Sequence, residues 1–429
     1  MDMSSFQSLW QSLLNFIFYY PLFMSYLWMF GALIFYWKER REPAYTAPPD
    51  LQDYPRVAVL IPCFNEGYNA EETISHALSL DYPNFEVIAI NDGSSDNTAD
   101  VLNAMSSQYA NLRVVHLAEN QGKAMALQAG SLVTDAEFLI GIDGDALLDP
   151  HAARWMMRHF QRDLAIAAVT GNPRIRNRST LLGRIQVGEF SSIVGMIKRA
   201  QRTFGRIFTV SGVVTAFRKS AVHEVGYWSP DMLTEDIDIT WKLQRAGWDV
   251  HFEPNALVWI LMPESLRGLW KQRLRWAMGG AQVLLKNIDI LMKPKLNYLW
   301  PLIIELFLTL LWSYLMLIML IMWLVYLIWP GLGSPILSSP LLPSGIGVLL
   351  GATCLIQFAV SKWMDSRYEP KLGRNYYWMI WYPIVFWLIT VSASIIAFPS
   401  VLFRRGGKRA RWVSPDRGIR QHDEREGEE

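Results

Sequence analysis

Apolar positions fall into two kinds of run along this chain. Four runs are long and almost unbroken, roughly residues 9–37, 299–329, 341–363 and 377–403, and each can supply the about 20 helical residues that cross a hydrocarbon core. The others are short. Residues 56–62, 86–92, 112–117 and 138–142 read as buried strands, and between them residues 69–80, 96–107 and 122–133 carry helical patterns, with Ser94 or Ser95 placed to cap the second helix. Strands alternating with helices of about ten residues predict an α/β unit with a mostly parallel sheet covered on both faces.

The long runs fix the wider organisation. Trp and Tyr gather at their ends (Trp10, Tyr19, Tyr20, Trp37, Trp300, Trp329, Trp363, Tyr377, Trp378), as expected at headgroup level. The first run is too long and too aromatic to be a cleaved signal peptide and reads as an anchor. The expected segments are an anchor over 1–41, an α/β domain over 55–260, interfacial helices over 261–297, a membrane region over 298–403, and a tail over 404–429 that is basic and then acidic. Lys38, Arg40 and Arg41 follow the first run and nothing basic precedes it, so the large domain is expected in the cytoplasm. Three crossings after residue 297 would then put the basic stretch 404–411 on the opposite face, against the charge rule. Either one run is re-entrant or interfacial, or the tail is an exception.

A charged fraction of 18%, against about 25% in soluble domains, agrees with that partition. A net charge of +1 gives no reason to expect nucleic acid. Cys63 and Cys354 lie in different segments and suggest neither a disulfide nor a metal site. The seven histidines, His422 among them, lack ligand spacing and read as structural.

Chemistry concentrates where strands end. The run 138–142 leads into Asp143-Gly144-Asp145, and two hard oxygen donors at a strand's carboxyl end suit a divalent cation, most simply Mg²⁺ on a diphosphate. Similar breaks follow the first two strands, at Pro62-Cys-Phe-Asn65-Glu66 and Asn91-Asp92-Gly93. Asn120-Gln-Gly-Lys123 lacks the upstream glycine of a phosphate loop. The acidic clusters are not EF-hands, because Asn103 and Arg154 occupy the bidentate position. Glu235, Asp236 and Asp238 open a helix, where acids suit the helix dipole and where one can also act as a general base. Residues 264–276 form a basic amphipathic helix expected to lie along the bilayer surface.

Asp92, the Asp143 and Asp145 pair, Thr234-Glu235-Asp236 and Gln272-Arg273-Leu-Arg275-Trp276, in that order, resemble the signature of processive family-2 glycosyltransferases. Thr170-Gly-Asn-Pro-Arg-Ile-Arg176, Trp259-Ile-Leu-Met-Pro-Glu264 and the tail from Arg409 to Gly418 look like the subgroup of bacterial poly-β-1,6-N-acetylglucosamine synthases that make biofilm exopolysaccharide. The resemblance covers nearly the whole chain and implies a GT-A fold in a multi-pass inner-membrane protein. It implies UDP-N-acetylglucosamine as donor, a growing polysaccharide as acceptor, and Mg²⁺ or Mn²⁺ on Asp145. Asp92 and Asp143 would then hold the uridine side, Pro62, Asn65 and Glu66 the adjacent wall, and Lys123 the region of the phosphates. Asp236, with Glu235 beside it, would be the base, and Gln272, Arg273, Arg275 and Trp276 would meet the acceptor end and the diphosphate. Control by cyclic di-GMP and a small membrane partner subunit are also implied. The alternatives are a sister polymerase of another UDP-sugar, a transferase acting on a lipid carrier, and a catalytically silent membrane scaffold. A scaffold would be expected to lose its carboxylates, and Asp92, Asp143, Asp145 and Asp236 are all present.

Overall fold

The structure is a computed structural model that describes residues 3–329, 345–403 and 409–410. His422, the acidic end and most of the basic stretch lie outside the described residues. Eight strands form one sheet: β1 (Val57–Cys63), β2 (Phe85–Asp92), β3 (Leu112–Leu117), β4 (Phe138–Ile142), β5 (Leu147–Leu148), β6 (Ile166–Ile175), β7 (Val214–Arg218) and β8 (Asp249–Ile260), in the order β3-β2-β1-β4-β7-β6-β8-β5. The first four in that order are mutually parallel. β7 runs antiparallel between β4 and β6, and β6 pairs with β8 in parallel. Their alternate residues feed two cores: Val57, Val59 and Ile61 one face, Ala58 and Leu60 the other, which is why the strand sequence is apolar throughout.

The helices are α1 (Met3–Glu39), α2 (Ala70–Leu78), α3 (Thr98–Ser106), α4 (Lys123–Leu132), α5 (Ala152–Arg162), α6 (Leu181–Phe190), α7 (Ile197–Phe204), α8 (Lys219–Glu224), α9 (Glu235–Arg245), α10 (Leu266–Asn287), α11 (Trp300–Ile328), α12 (Gly345–Asp365) and α13 (Tyr382–Leu402). A π-helical turn, Ser191–Met196, joins α6 to α7. The start of α3 differs from expectation. Asp96, not a serine, accepts from the Thr98 amide at 3.0 Å. Asn65 engages both serines: its amide donates to Ser94 Oγ, and its Oδ1 accepts from the Ser95 amide. The serines are spent tying two strand-end loops together.

Among the described residues three helices, Gln11–Glu39, Pro294–Val325 and Gly347–Asp365, are long and apolar enough to cross a membrane. The fourth apolar run divides into a 3₁₀ stretch, Leu372–Trp381, and α13. α13 packs along α10, and beyond it the Ala410 amide donates to Pro230 O at 2.8 Å. The chain at 409–410 therefore lies against the α/β domain.

A buried ion network ties the membrane helices to the domain. Arg199 on α7 donates to both Glu39 oxygens, at 2.6 and 2.9 Å, and to Asp365 at 2.9 Å. Asp365 also receives Arg174 from β6 at 2.5 Å, and Glu369 receives Arg174 and Arg178. Tyr368 donates to Glu39 at 2.6 Å.

Candidate active site

In-register pairing of β1 with β2 and β4 brings their carboxyl ends to one edge of the sheet. The antiparallel partner β7 begins at that edge, because Ile142 faces Val214. A cleft there is lined by Pro62, Cys63, Phe64, Asp92, Lys123 and Asp143. Asp92 is 2% exposed, and its carboxylate accepts from the Gln121 and Gly122 amides at 2.7 and 2.8 Å. Burial raises its pKa and those two amides oppose the rise. Asp92 thus fixes the turn that starts α4, where Gly122 has φ +89°, and so aims Lys123.

Lys123 Nζ lies 2.5 Å from Asp143 and 3.3 Å from Glu235, and donates to Gly212 O at 2.8 Å. Burial lowers its pKa, but Asp143 and Glu235 outweigh that and hold it above the ordinary value. The amide of the same glycine serves Asp236, whose Oδ2 accepts from Gly212 N at 3.2 Å. Burial and Glu235 push the Asp236 carboxyl up to about 6, against Lys123 and Arg275. Asp238, two residues further along α9, points away to Lys286 at 2.6 Å. The three acids that open α9 therefore have three different partners.

Asp145 is buried, and Gly144 before it sits where a Cβ would stand 3.0 Å from Pro62 O and 3.0 Å from Glu66 Cγ. Glu66 is wholly buried and accepts from Asn69 at 3.1 Å. Asn65, with φ +55°, holds the turn to Ser95. Glu66 and Pro62 brace the Asp-Gly-Asp turn at Gly144, and Pro62 also lines the cleft. Among the described residues no three His, Cys, Asp or Glu side chains gather as a metal site. The carboxylates of Asp143 and Asp145 nevertheless fit Mg²⁺ or Mn²⁺, which commonly complete their shell with phosphate oxygens and water.

The segment expected at the acceptor end divides around α10. Arg273 is buried against Glu189 at 2.5 Å, with its guanidinium 4.5 Å from the Trp276 ring. Arg275, about 200° away around a helix of 3.6 residues per turn, donates to Leu233 O at 3.3 Å and lies within the field of Asp236. Gln272 approaches Met262 Sδ at 3.8 Å. Trp276 leans on Phe190, with ring centroids 6.4 Å apart. Along this helix Leu269, Val283 and Leu284 are buried inside the protein, while Leu266 is exposed.

Residues outside the expected set also shape the site. Gly212 was one; its signal is the small Ser211-Gly212 pair just before an apolar strand. Gly279 is another, a glycine inside a helical pattern. A Cβ on Gly279 would stand 2.0 Å from Thr234 Oγ1, so α10 can approach the Thr234-Glu235-Asp236 turn only without one. Gly279→Ala should cost about 1–3 kcal/mol of stability through overpacking and, by moving that turn, roughly 10²-fold in activity. Sugar incorporation by membranes matched for protein amount measures the second effect. Arg409, finally, reaches Gln121 beside the cleft.

Residues 55–279 match the family described as "Glycosyltransferase like family 2". A protein named poly-beta-1,6-N-acetyl-D-glucosamine synthase from Staphylococcus aureus strain COL is 41% identical over 409 residues, 95% of this chain and 99% of that one. Its namesake from Staphylococcus epidermidis is 40% identical over 413 residues, 94% of this chain and 98% of that one. Among solved structures, a mannosyltransferase from Pyrobaculum calidifontis, in complex with GDP-Man and Mn²⁺, superposes with a TM-score of 0.58 at 19% identity, covering 90% of this chain and 99% of that one; that likeness concerns the GT-A fold. By the matched segment and by identity along nearly its whole length, the chain belongs to the family-2 glycosyltransferases.

Proposed function

We propose that this chain is a processive, inverting membrane synthase that polymerises N-acetylglucosamine from UDP-N-acetylglucosamine into a β-1,6-linked chain and couples synthesis to export for biofilm formation. The observation that carries the reading is residue Gly212, whose carbonyl oxygen accepts from Lys123 and whose amide donates to Asp236. It joins a cationic, donor-side group to a carboxylate of raised pKa through the backbone of one glycine. The relatives' shared name supports the sugar and the linkage.

In this reading Lys123 and Asp92 shape the donor cleft, and Asp145 with Asp143 would hold a divalent cation whose charge compensates the departing UDP. The acceptor's 6-hydroxyl oxygen attacks the anomeric carbon from the face opposite the diphosphate. The C–O bond to UDP breaks, its electron pair leaves with the phosphate, and the hydroxyl proton passes to Asp236. One displacement turns an α-linked donor into a β-linked product. Trp276 offers a flat apolar face for a pyranose ring. Cyclic di-GMP and a small partner subunit belong to the same proposal, with the catalytic domain in the bacterial cytoplasm.

The test is incorporation of labelled sugar by membranes containing this chain, with the partner subunit and cyclic di-GMP supplied. Polymer should form from UDP-N-acetylglucosamine with Mg²⁺ or Mn²⁺, vanish with chelator, and be digested by a β-1,6-specific hydrolase. Polymer from a different UDP-sugar alone would overturn the donor assignment, and resistance to the hydrolase would overturn the linkage.

A further inference from the structure

Behind the catalytic edge, α7 carries two adjacent buried cations. Consecutive helical residues differ by about 100°. Arg199 meets the ends of the membrane helices, and Lys198 meets the sheet. Lys198 is 5% exposed, and its Nζ lies 3.4 Å from Thr170 Oγ1 on β6. That oxygen accepts from the Ser211 amide at 2.7 Å. The next amide, Gly212, donates to Asp236, and the preceding one, Val210, donates to Thr240 Oγ1 at 2.9 Å. Three successive amides of the loop entering β7 are thus held by side chains, the middle one by the hydroxyl that Lys198 touches.

Packing does not require an amine there, since methionine fills a similar volume without the cost of a buried, weakly partnered polar group. The charged groups that face Asp236 are Glu235, Lys123 and Arg275, and the one that faces Lys198 is Asp236. Burial pushes Lys198 down to about 7, and Asp236 works against that.

We propose that Lys198 is a positioning residue for the reaction above: through Thr170 it holds the Ser211–Gly212 turn, and with that turn the orientation of the Asp236 carboxylate. The proposal rests on the reading of Asp236 as the base. The test uses the full chain in membranes, as Lys198→Met and Thr170→Val. Lys198→Met should lower kcat about tenfold or more at saturating donor, with KM for UDP-N-acetylglucosamine within about twofold. Losing the amine whose charge Asp236 favours should also move the acid limb of the kcat profile upward. Thr170→Val keeps the amine and should lower kcat about fivefold with the same KM.

Wild-type kcat and an unmoved limb in Lys198→Met would overturn the role, as would a raised KM at unchanged kcat. If Lys198→Met does not accumulate, Thr170→Val decides, and wild-type kcat there overturns it. Asp236→Asn separates the two readings. An active Asp236→Asn enzyme removes the base assignment itself, whereas an inactive one beside a fully active Lys198→Met removes the positioning role alone.

Discussion

Asp236→Asn is expected to lower polymer formation by about 10²–10⁴-fold, the range associated with losing a general base, while UDP-N-acetylglucosamine still binds. Asparagine keeps one oxygen, which can serve the Gly212 amide and hold the turn, while the Ile237 amide that donates to Oδ1 at 2.9 Å loses its acceptor together with the loss of the base. The wild-type pH profile gives the same prediction without a mutation. Burial and Glu235 raise the Asp236 carboxyl to about 6, so the residue is protonated and idle below that pH and becomes competent as pH rises through it. kcat at saturating donor should climb across about pH 5–7. An Asp236→Asn enzyme retaining more than about a tenth of wild-type kcat would sink the assignment.

Arg199→Leu should lower stability by about 3–5 kcal/mol, the usual cost of removing one member of a buried charge pair. Glu39 would keep the Tyr368 hydroxyl and Asp365 would keep Arg174, but each would lose its Arg199 contact while remaining buried. The measurement is thermal unfolding of the detergent-solubilised protein at matched lipid content. An unchanged transition would mean that the three segments meeting at Arg199 are held together by apolar packing alone.

Much of the fold and part of the site could be read from residue order. Strands at 112–117 and 138–142 follow from short apolar runs between turn formers, and the helix opening at Glu235 from its leading acids. Convergence of Asp92, Lys123 and Asp143 follows from parallel strands ending at one edge. The antiparallel β7 was not visible in this way, and with it the loop through Gly212 that meets both Lys123 and Asp236. The serines near residue 95 misled because two loops compete for them, a choice made by tertiary contact rather than local propensity. The Thr170 to Arg176 stretch stood out by resemblance before it had a physical role. Thr170 supports the Ser211 amide, Arg174 binds Asp365 and Glu369, and Arg176 binds Glu72 at 2.9 Å. Pairs separated by about 40 to 195 positions leave no periodic trace along the chain.

The π-helical turn Ser191–Met196 has a heritable consequence. A π-turn amounts to one residue more than the α-helix it interrupts, and everything after it is rotated by about 100° for each residue gained or lost. A single in-frame codon deletion within 191–196 that restored α geometry would swing Lys198 off Thr170 and Arg199 off Glu39 in the same step, though neither codon had changed. Lineages carrying this chain should therefore tolerate substitutions in the turn far better than changes in its length.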